Sequence, residues 1–135
     1  MNKLRLLLVE NDEDEKVFMQ HGFEASGFFE IVGIAENGDE FVQLMNGYNG
    51  TYPDVILTDL HMYGKDGYDI LNYIKTNLLF AHIPVIITSG SCTEMVTRKC
   101  QELGAYLLLP KPRSFKEYKM FAEQIYRKLK QIIGD

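Results

Sequence analysis

Pro53-Asp54-Val55-Ile56-Leu57-Thr58-Asp59 is the stretch on which the fold turns. A short apolar run with β-branched residues, opened by a Pro-Asp turn, predicts a buried strand of a parallel sheet. It stops on a carboxylate, and the following His61-Met62-Tyr63-Gly64-Lys65-Asp66-Gly67 is too polar and too rich in glycine to continue it. In open α/β sheets the chemistry lies just beyond the carboxyl ends of the strands. An acid placed there, Asp59, needs partners, and the rest of the chain has to supply them.

Outward from this strand the pattern alternates. Leu4 to Val9 is an apolar run broken only by Arg5, and Phe29 to Ala35 reads as a second strand followed by an Asn37-Gly38 turn. Ile83-Pro84-Val85-Ile86-Ile87-Thr88 predicts a fourth strand and Tyr106 to Leu109 a fifth. Between them apolar residues recur at helical spacing. Phe18 and Phe23 lead to a stop near Gly27, and Phe41, Leu44 and Met45 to a stop at Gly47 to Gly50. Tyr68, Leu71 and Ile74-Lys75, with Leu78, outline a third helix. Met95-Val96, Cys100 and Leu103 outline a fourth, closed by Gly104. Ser114-x-x-Glu117 has the form of a capping box ahead of Tyr118, Phe121-Ala122, Ile125, Leu129 and Ile132. Five strands alternating with five helices predict an α/β fold. The expected architecture is a flavodoxin-like, doubly wound, five-stranded parallel sheet in the order 2-1-3-4-5, covered on both faces.

At 135 residues with 46% hydrophobic content, the chain suits one domain spanning 1–135, and no linker composition points to an effector domain. A net charge of −5 argues against nucleic acid as partner. The basic residues from Lys111 to Lys130 alternate with apolar ones, as on the solvated face of a helix. Lys3 and Arg5 flank a leucine run too short for a signal peptide or a membrane span. Cys92 and Cys100 lie eight apart without a Cys-x-x-Cys or a flanking histidine, so zinc and redox chemistry are not suggested and a cytoplasmic setting is expected.

The predicted strand ends carry reactive groups. Glu10-Asn11-Asp12 follows the first strand, Asp59 ends the third, Ser89 follows the fourth and Lys111 the fifth. Alone, such an acid can cap a helix, the serine can be a turn residue and the lysine a surface charge. Together they favour a site, and carboxylates gathered at one crevice invite a hard cation such as Mg²⁺. His21, His61 and His82 have no metal-ligand spacing. Asp12 to Glu15 reads as a solvated helix start favoured by the dipole, and the Tyr118/Phe121/Ile125 stripe as core.

Four segments then stand in a telling order: Leu6-Leu7-Leu8-Val9-Glu10; Pro53 to Asp59 with Met62 and Asp66-Gly67; Ile83 to Ser89; and Gly104-Ala105 seven residues before Lys111-Pro112. Along nearly its full length the chain resembles a receiver domain of the two-component response regulators. The resemblance implies that Asp59 accepts a phosphoryl group from a histidine kinase, a phosphotransfer protein or a small phosphodonor. It implies Mg²⁺ held by Glu10 (through water), Asp59 and the main-chain carbonyl of His61, with Lys111 and Ser89 neutralising phosphoryl oxygens. It also implies a cis Lys111-Pro112 bond.

A stand-alone receiver of this kind is a phosphoacceptor with slow self-dephosphorylation, dependent on His61 and Ser91, and not a turnover enzyme. It would be a monomer or weak homodimer that signals to another protein through the face from about Thr93 to Tyr126. Three departures qualify the likeness. The family's second acid is Asn11, whose amide oxygen still ligates with one charge fewer, leaving Asp12 as a further candidate ligand. Tyr63 replaces the usual proline and is placed to cover the site or meet a partner. Leu108 stands where the family relays its signal through an aromatic ring, with Tyr106 expected to point the same way. The competing expectation is a degenerate receiver that acts as a phosphorylation-independent scaffold. A haloacid-dehalogenase-like phosphatase would need an acid at His61, and a flavodoxin a hydroxyl- and glycine-rich loop at Glu10 to Glu15.

Overall fold

In a computed structural model, which describes residues 2–48, 51–62 and 64–133, every apolar run forms a strand and every helical pattern a helix. The order is β1 (Leu4–Val9), α1 (Glu13–Ser26), β2 (Phe29–Ala35), α2 (Gly38–Gly47), β3 (Val55–Asp59), α3 (Gly67–Lys75), β4 (Val85–Ser89), α4 (Glu94–Leu103), β5 (Leu107–Pro110) and α5 (Glu117–Ile133). All strands pair in parallel in the order β2-β1-β3-β4-β5, the doubly wound order expected.

Alternation along each strand divides the core in two. Leu6, Leu8, Val55, Leu57 and Ile86 face α1 and α5, against Met19, Phe23, Phe121, Ile125 and Leu129. Leu7, Val9, Ile56, Val85 and Ile87 face the other helices, against Phe41 and Met45 of α2, Ile70, Leu71 and Ile74 of α3, and Cys100 of α4. From Leu6 onward β1 is dry on both sides, as are β3 and β4, which is why these segments read as mostly apolar runs. The one charge in β1 has a structural use. Arg5 reaches the carbonyls of Thr51 and Tyr52 at 3.1 and 2.9 Å, while its N–H donates to the Asp54 carboxylate at 2.8 Å. This clasp at the foot of the sheet fixes the register of β3 against β1, and so the height at which Asp59 emerges.

The local punctuation departs from expectation at several points. Asn37 does not make a turn; its side chain caps α2 by accepting from Glu40 N–H at 2.9 Å, and Gly38 is the first helical residue. Asparagine serves either role, and the apolar face of α2 decides between them. Gly47 ends α2, while Asn49, Gly50 and the candidate Tyr63 lie outside the described residues. Leu78 is 97% exposed and falls beyond α3. The Ser114/Glu117 box does not close: the Ser114 carbonyl accepts from Glu117 N–H, and the Glu117 carboxylate takes the Arg113 N–H at 2.9 Å. A reciprocal box forms instead at Asp66 and Asp69, at the start of α3.

Candidate functional site

The carboxyl ends of β1, β3, β4 and β5 meet along one rim. Glu10 leaves β1 with its N–H bonded to the Ala35 carbonyl at 2.9 Å, and Leu60, one residue past Asp59, bonds the Thr88 carbonyl at 2.9 Å. The Lys111 N–H donates to the Ser89 carbonyl at 3.2 Å, which sets the lysine beside the end of β4. Gly67 is required where α3 turns back onto this rim. A Cβ there would lie 2.9 Å from the Leu60 Cα and 3.0 Å from the Asp59 carbonyl oxygen. That close approach, with Asp66 capping the helix, explains the Asp66-Gly67 pair.

Three charged side chains converge. The Lys111 ammonium lies 3.4 Å from Glu10 Oε1 and 3.3 Å from Asp59 Oδ2, bridging the two acids. Glu10 is wholly buried and Asp59 is 6% exposed, so their charges are poorly screened. Glu10 is also held by the N–H groups of Asn11 and Asp12, both 3.1 Å from Oε2. Burial pushes the Glu10 carboxyl above its usual range despite these donors and Lys111. For Lys111, burial works against the cation, but Glu10 and Asp59 outweigh it and hold the ammonium above its ordinary value. A buried pair of acids already neutralised in part by one cation is poised for exchange with a stronger one.

The structure brings together Glu10, Asp59 and Lys111, and places Ser89 at the adjoining strand end. The Ser89 hydroxyl is turned along its own loop, donating to the Ser91 carbonyl at 2.9 Å and accepting the Ser91 N–H at 3.1 Å. Asn11 is exposed at the mouth, and His61 follows the end of β3 with an exposed side chain. Asp12 is spent on capping α1, its carboxylate accepting from Glu15 N–H at 2.9 Å. Among the described residues no group of three or more His, Cys, Asp or Glu side chains is gathered for a metal. Two carboxylates, the Asn11 amide and a main-chain carbonyl are nevertheless all hard oxygen donors, and they fit Mg²⁺ with retained waters. The bridging ammonium marks where positive charge is stabilised.

Two expectations are corrected. No cis peptide bond occurs among the described residues, so Lys111-Pro112 is trans. The lysine is aimed inward without it, by the Ser89 carbonyl behind and the two carboxylates ahead. Tyr106 and Leu108 do not point the same way. Leu108 packs against the core on the face covered by α2, α3 and α4, while Tyr106 packs on the α5 side and donates its hydroxyl to the Lys128 carbonyl at 2.8 Å. β5 begins only at Leu107, so strand alternation does not reach back to Tyr106.

Residues 6–122 match the family described as the response regulator receiver domain. The chain belongs to that family, whose general function is to be phosphorylated on an aspartate. The phosphorylated cyanobacterial phytochrome response regulator RcpA has the same fold, with a TM-score of 0.82 and 24% identity over 93% of each chain. The Mn(2+)-bound form of the response regulator Rcp1 gives 0.80 and 24%, over 96% of each. The probable methanogenesis regulatory protein FilR2 of Methanothrix harundinacea is 27% identical over 123 residues, 89% of this chain and 79% of that protein. A protein-glutamate methylesterase/protein-glutamine glutaminase of Carboxydothermus hydrogenoformans is 29% identical over 136 residues, 98% of this chain but only 37% of the longer protein. No helix among the described residues is long and apolar enough to cross a membrane.

Proposed function

We propose that this chain accepts a phosphoryl group on Asp59 from a histidine kinase or phosphotransfer protein and passes the signal on by protein–protein contact. The observation that carries the reading is the Lys111 ammonium held between buried Glu10 and Asp59 at the strand ends. In the transfer, an Asp59 oxygen attacks the donor phosphorus in line while the bond from phosphorus to the donor atom breaks. Glu10 (through water), Asp59, the Asn11 amide and the His61 carbonyl are the residues that would hold Mg²⁺, which would supply charge neutralisation at the transferring oxygens. Lys111 moves from its two carboxylates to a phosphoryl oxygen, as a flexible point charge suited to phosphate. The Ser89 hydroxyl, released from the Ser91 carbonyl, donates to another. Receiver domains meet histidine kinases or phosphotransfer proteins; the output surface proposed here runs from Thr93 to Tyr126, where Met95 and Met120 stand 80% and 62% exposed.

Incubation with Mg²⁺ and acetyl phosphate is expected to add the mass of one phosphoryl group, and Asp59→Asn to abolish it. Absence of any gain in the wild type would refute the reading. A second reading, a scaffold indifferent to phosphorylation, is favoured by Leu108 at the relay position and by Tyr106 being tied to α5. A scaffold would bind its partner equally with and without phosphodonor.

A further inference from the structure

The segment that leads from Asp59 to α3 is held on two sides. At its foot the Leu60 N–H donates to the Thr88 carbonyl and the Gly67 N–H to the Leu60 carbonyl, both at 2.9 Å. The second bond closes the segment into a loop, with Gly67 packed against the Asp59 carbonyl oxygen. The far side of the loop rests on α2. A Cβ at Gly38 would lie 2.3 Å from the Lys65 Cβ and 3.2 Å from the Lys65 carbonyl oxygen, so the helix meets the loop there through bare backbone. Beside this contact the Lys65 ammonium reaches the Asp39 carboxylate at 2.8 Å. Both side chains are more than half exposed, so the ion pair contributes little and the steric seat dominates.

Which partner yields when the seat is altered depends on what stands behind each. The start of α2 is well braced. Asn37 accepts the Glu40 N–H at 2.9 Å, the Glu40 carboxylate takes the Glu36 N–H at 2.7 Å, and Phe41 is wholly buried. Lys65 has no such backing: it stands, exposed, at the edge of an open groove of about 390 Å³ between α2 and α3, walled by Phe41, Val42, Ile70 and Tyr73. A Cβ at position 38 therefore displaces the loop and not the helix.

We propose that Gly38 is a positioning residue for the phosphorylation site: by seating Lys65 it fixes the loop that follows Asp59, and with it the main chain beside the phosphoacceptor. The inference rests on the phosphoacceptor reading and deepens it. The link is one of contact. Lys65 is joined through Asp66 to Gly67, which lies against the Asp59 carbonyl, while the other limb of the loop carries the main-chain carbonyl of His61. Opening 2.3 Å to an ordinary contact takes roughly 1 Å of movement, which can cost about a hundredfold in rate if it reaches the reacting atoms in full. Shared along the loop, the same movement should cost about tenfold.

The test has two readouts on the full chain, with folding checked by circular dichroism. One is the rate of phosphoryl uptake from acetyl phosphate and Mg²⁺, followed by intact mass; the other is amide exchange at Gly67 in the metal-free protein. Gly38→Ala is expected to slow uptake about tenfold and to speed exchange at Gly67. Lys65→Gly removes the seated Cβ and should slow uptake about two- to fivefold, whereas Lys65→Ala, which keeps that Cβ, should slow it less. Combining Gly38→Ala with Lys65→Gly should recover most of the lost rate, because the new methyl fills the vacated place. Gly22→Ala strains α1 against Tyr118 of α5, away from this loop, and should leave both readouts as in the wild type. A folded Gly38→Ala with an unchanged rate would overturn the inference and leave the phosphoacceptor reading standing. Equal slowing by Gly22→Ala would overturn it too, since general destabilisation would then explain the loss. If Gly38→Ala does not fold, Lys65→Gly decides by the same readouts, and an unchanged rate again overturns the inference. A wild type that takes up no phosphoryl group would remove both readings.

Discussion

Lys111 is the residue on which the resting site balances. It reaches two buried acids at distances slightly longer than an ideal charged hydrogen bond, so it is shared between them and bound tightly to neither. Removing it leaves two like charges facing each other without compensation. Lys111→Met should therefore destabilise the metal-free protein by about 1–3 kcal/mol, below the full cost of breaking a buried pair because the lysine is partly exposed. Adding Asp59→Asn should recover most of that loss, and a double-mutant cycle by urea unfolding measures the coupling. The pH dependence follows from the shift of Lys111. Its folded value is raised above 10.5, so its contribution is complete below that pH and is lost as pH climbs through the raised value. Glu10, also raised, contributes stability below 4.5 that is lost as pH rises through its folded value. The difference between wild type and Lys111→Met should accordingly stay level from pH 7 to about 10 and shrink above it. Independence of the mutation from pH in the alkaline range would contradict the ion-pair account.

Among the elements, α1 and α5 show how one substitution takes opposite signs in different places. Gly22 lies within α1 where α5 comes closest, and a Cβ would strike the Tyr118 Cβ, carbonyl carbon and oxygen at 2.6, 2.7 and 2.9 Å. Backbone cannot yield there, so Gly22→Ala should cost about 1–3 kcal/mol, more than the roughly 1 kcal/mol that alanine gains over glycine in a helix. Gly47, at the end of α2, has nothing within 4 Å of its notional Cβ. Gly47→Ala should stabilise by up to about 1 kcal/mol, and equilibrium denaturation of the two variants checks both signs. The same elements show what the sequence reveals. β1 and β2 have the bounds expected of them, because in each a single charged residue, Arg5 or Glu30, interrupts an otherwise apolar run. Gly27 and Gly104 stop their helices at positive φ, 80° and 96°, as their positions imply. The caps were less legible, because a polar residue's role depends on which backbone groups lie near it. Ser114 looked like a cap and is not one, while Asp69 closes a box in place of the usual glutamate. Glu10, Asp59 and Lys111 were readable because each ends or follows a strand. The seat of Lys65 on Gly38 was not, since it joins a loop to a helix start that the sequence keeps apart.

At the scale of the whole molecule, the chain carries a net charge of −5 and concentrates buried acid at one end of its sheet, so the Mg²⁺ binding proposed for the rim should be coupled to stability. Without metal, every carboxylate added to the rim opposes folding; with metal, the same group favours it. Asn11 sits at the balance point, its side chain exposed at the mouth while its own main-chain N–H donates to the Glu10 carboxylate. Asn11→Asp should lower stability in chelator by about 0.5–1.5 kcal/mol, a modest figure because the position is open to water. In saturating Mg²⁺ the order should reverse. A ligand at about a hundred times its dissociation constant stabilises by about 2.7 kcal/mol, and each tenfold gain in affinity adds about 1.4 kcal/mol. For a domain of this size that increment is worth roughly 4–7 °C in melting temperature. Thermal unfolding of wild type and Asn11→Asp, each in chelator and in Mg²⁺, should therefore show the variant melting lower without metal and gaining the larger Mg²⁺ shift. Equal Mg²⁺ shifts in the two proteins would mean that residue 11 does not face the cation, and the ligand set proposed for the rim would have to be redrawn without it.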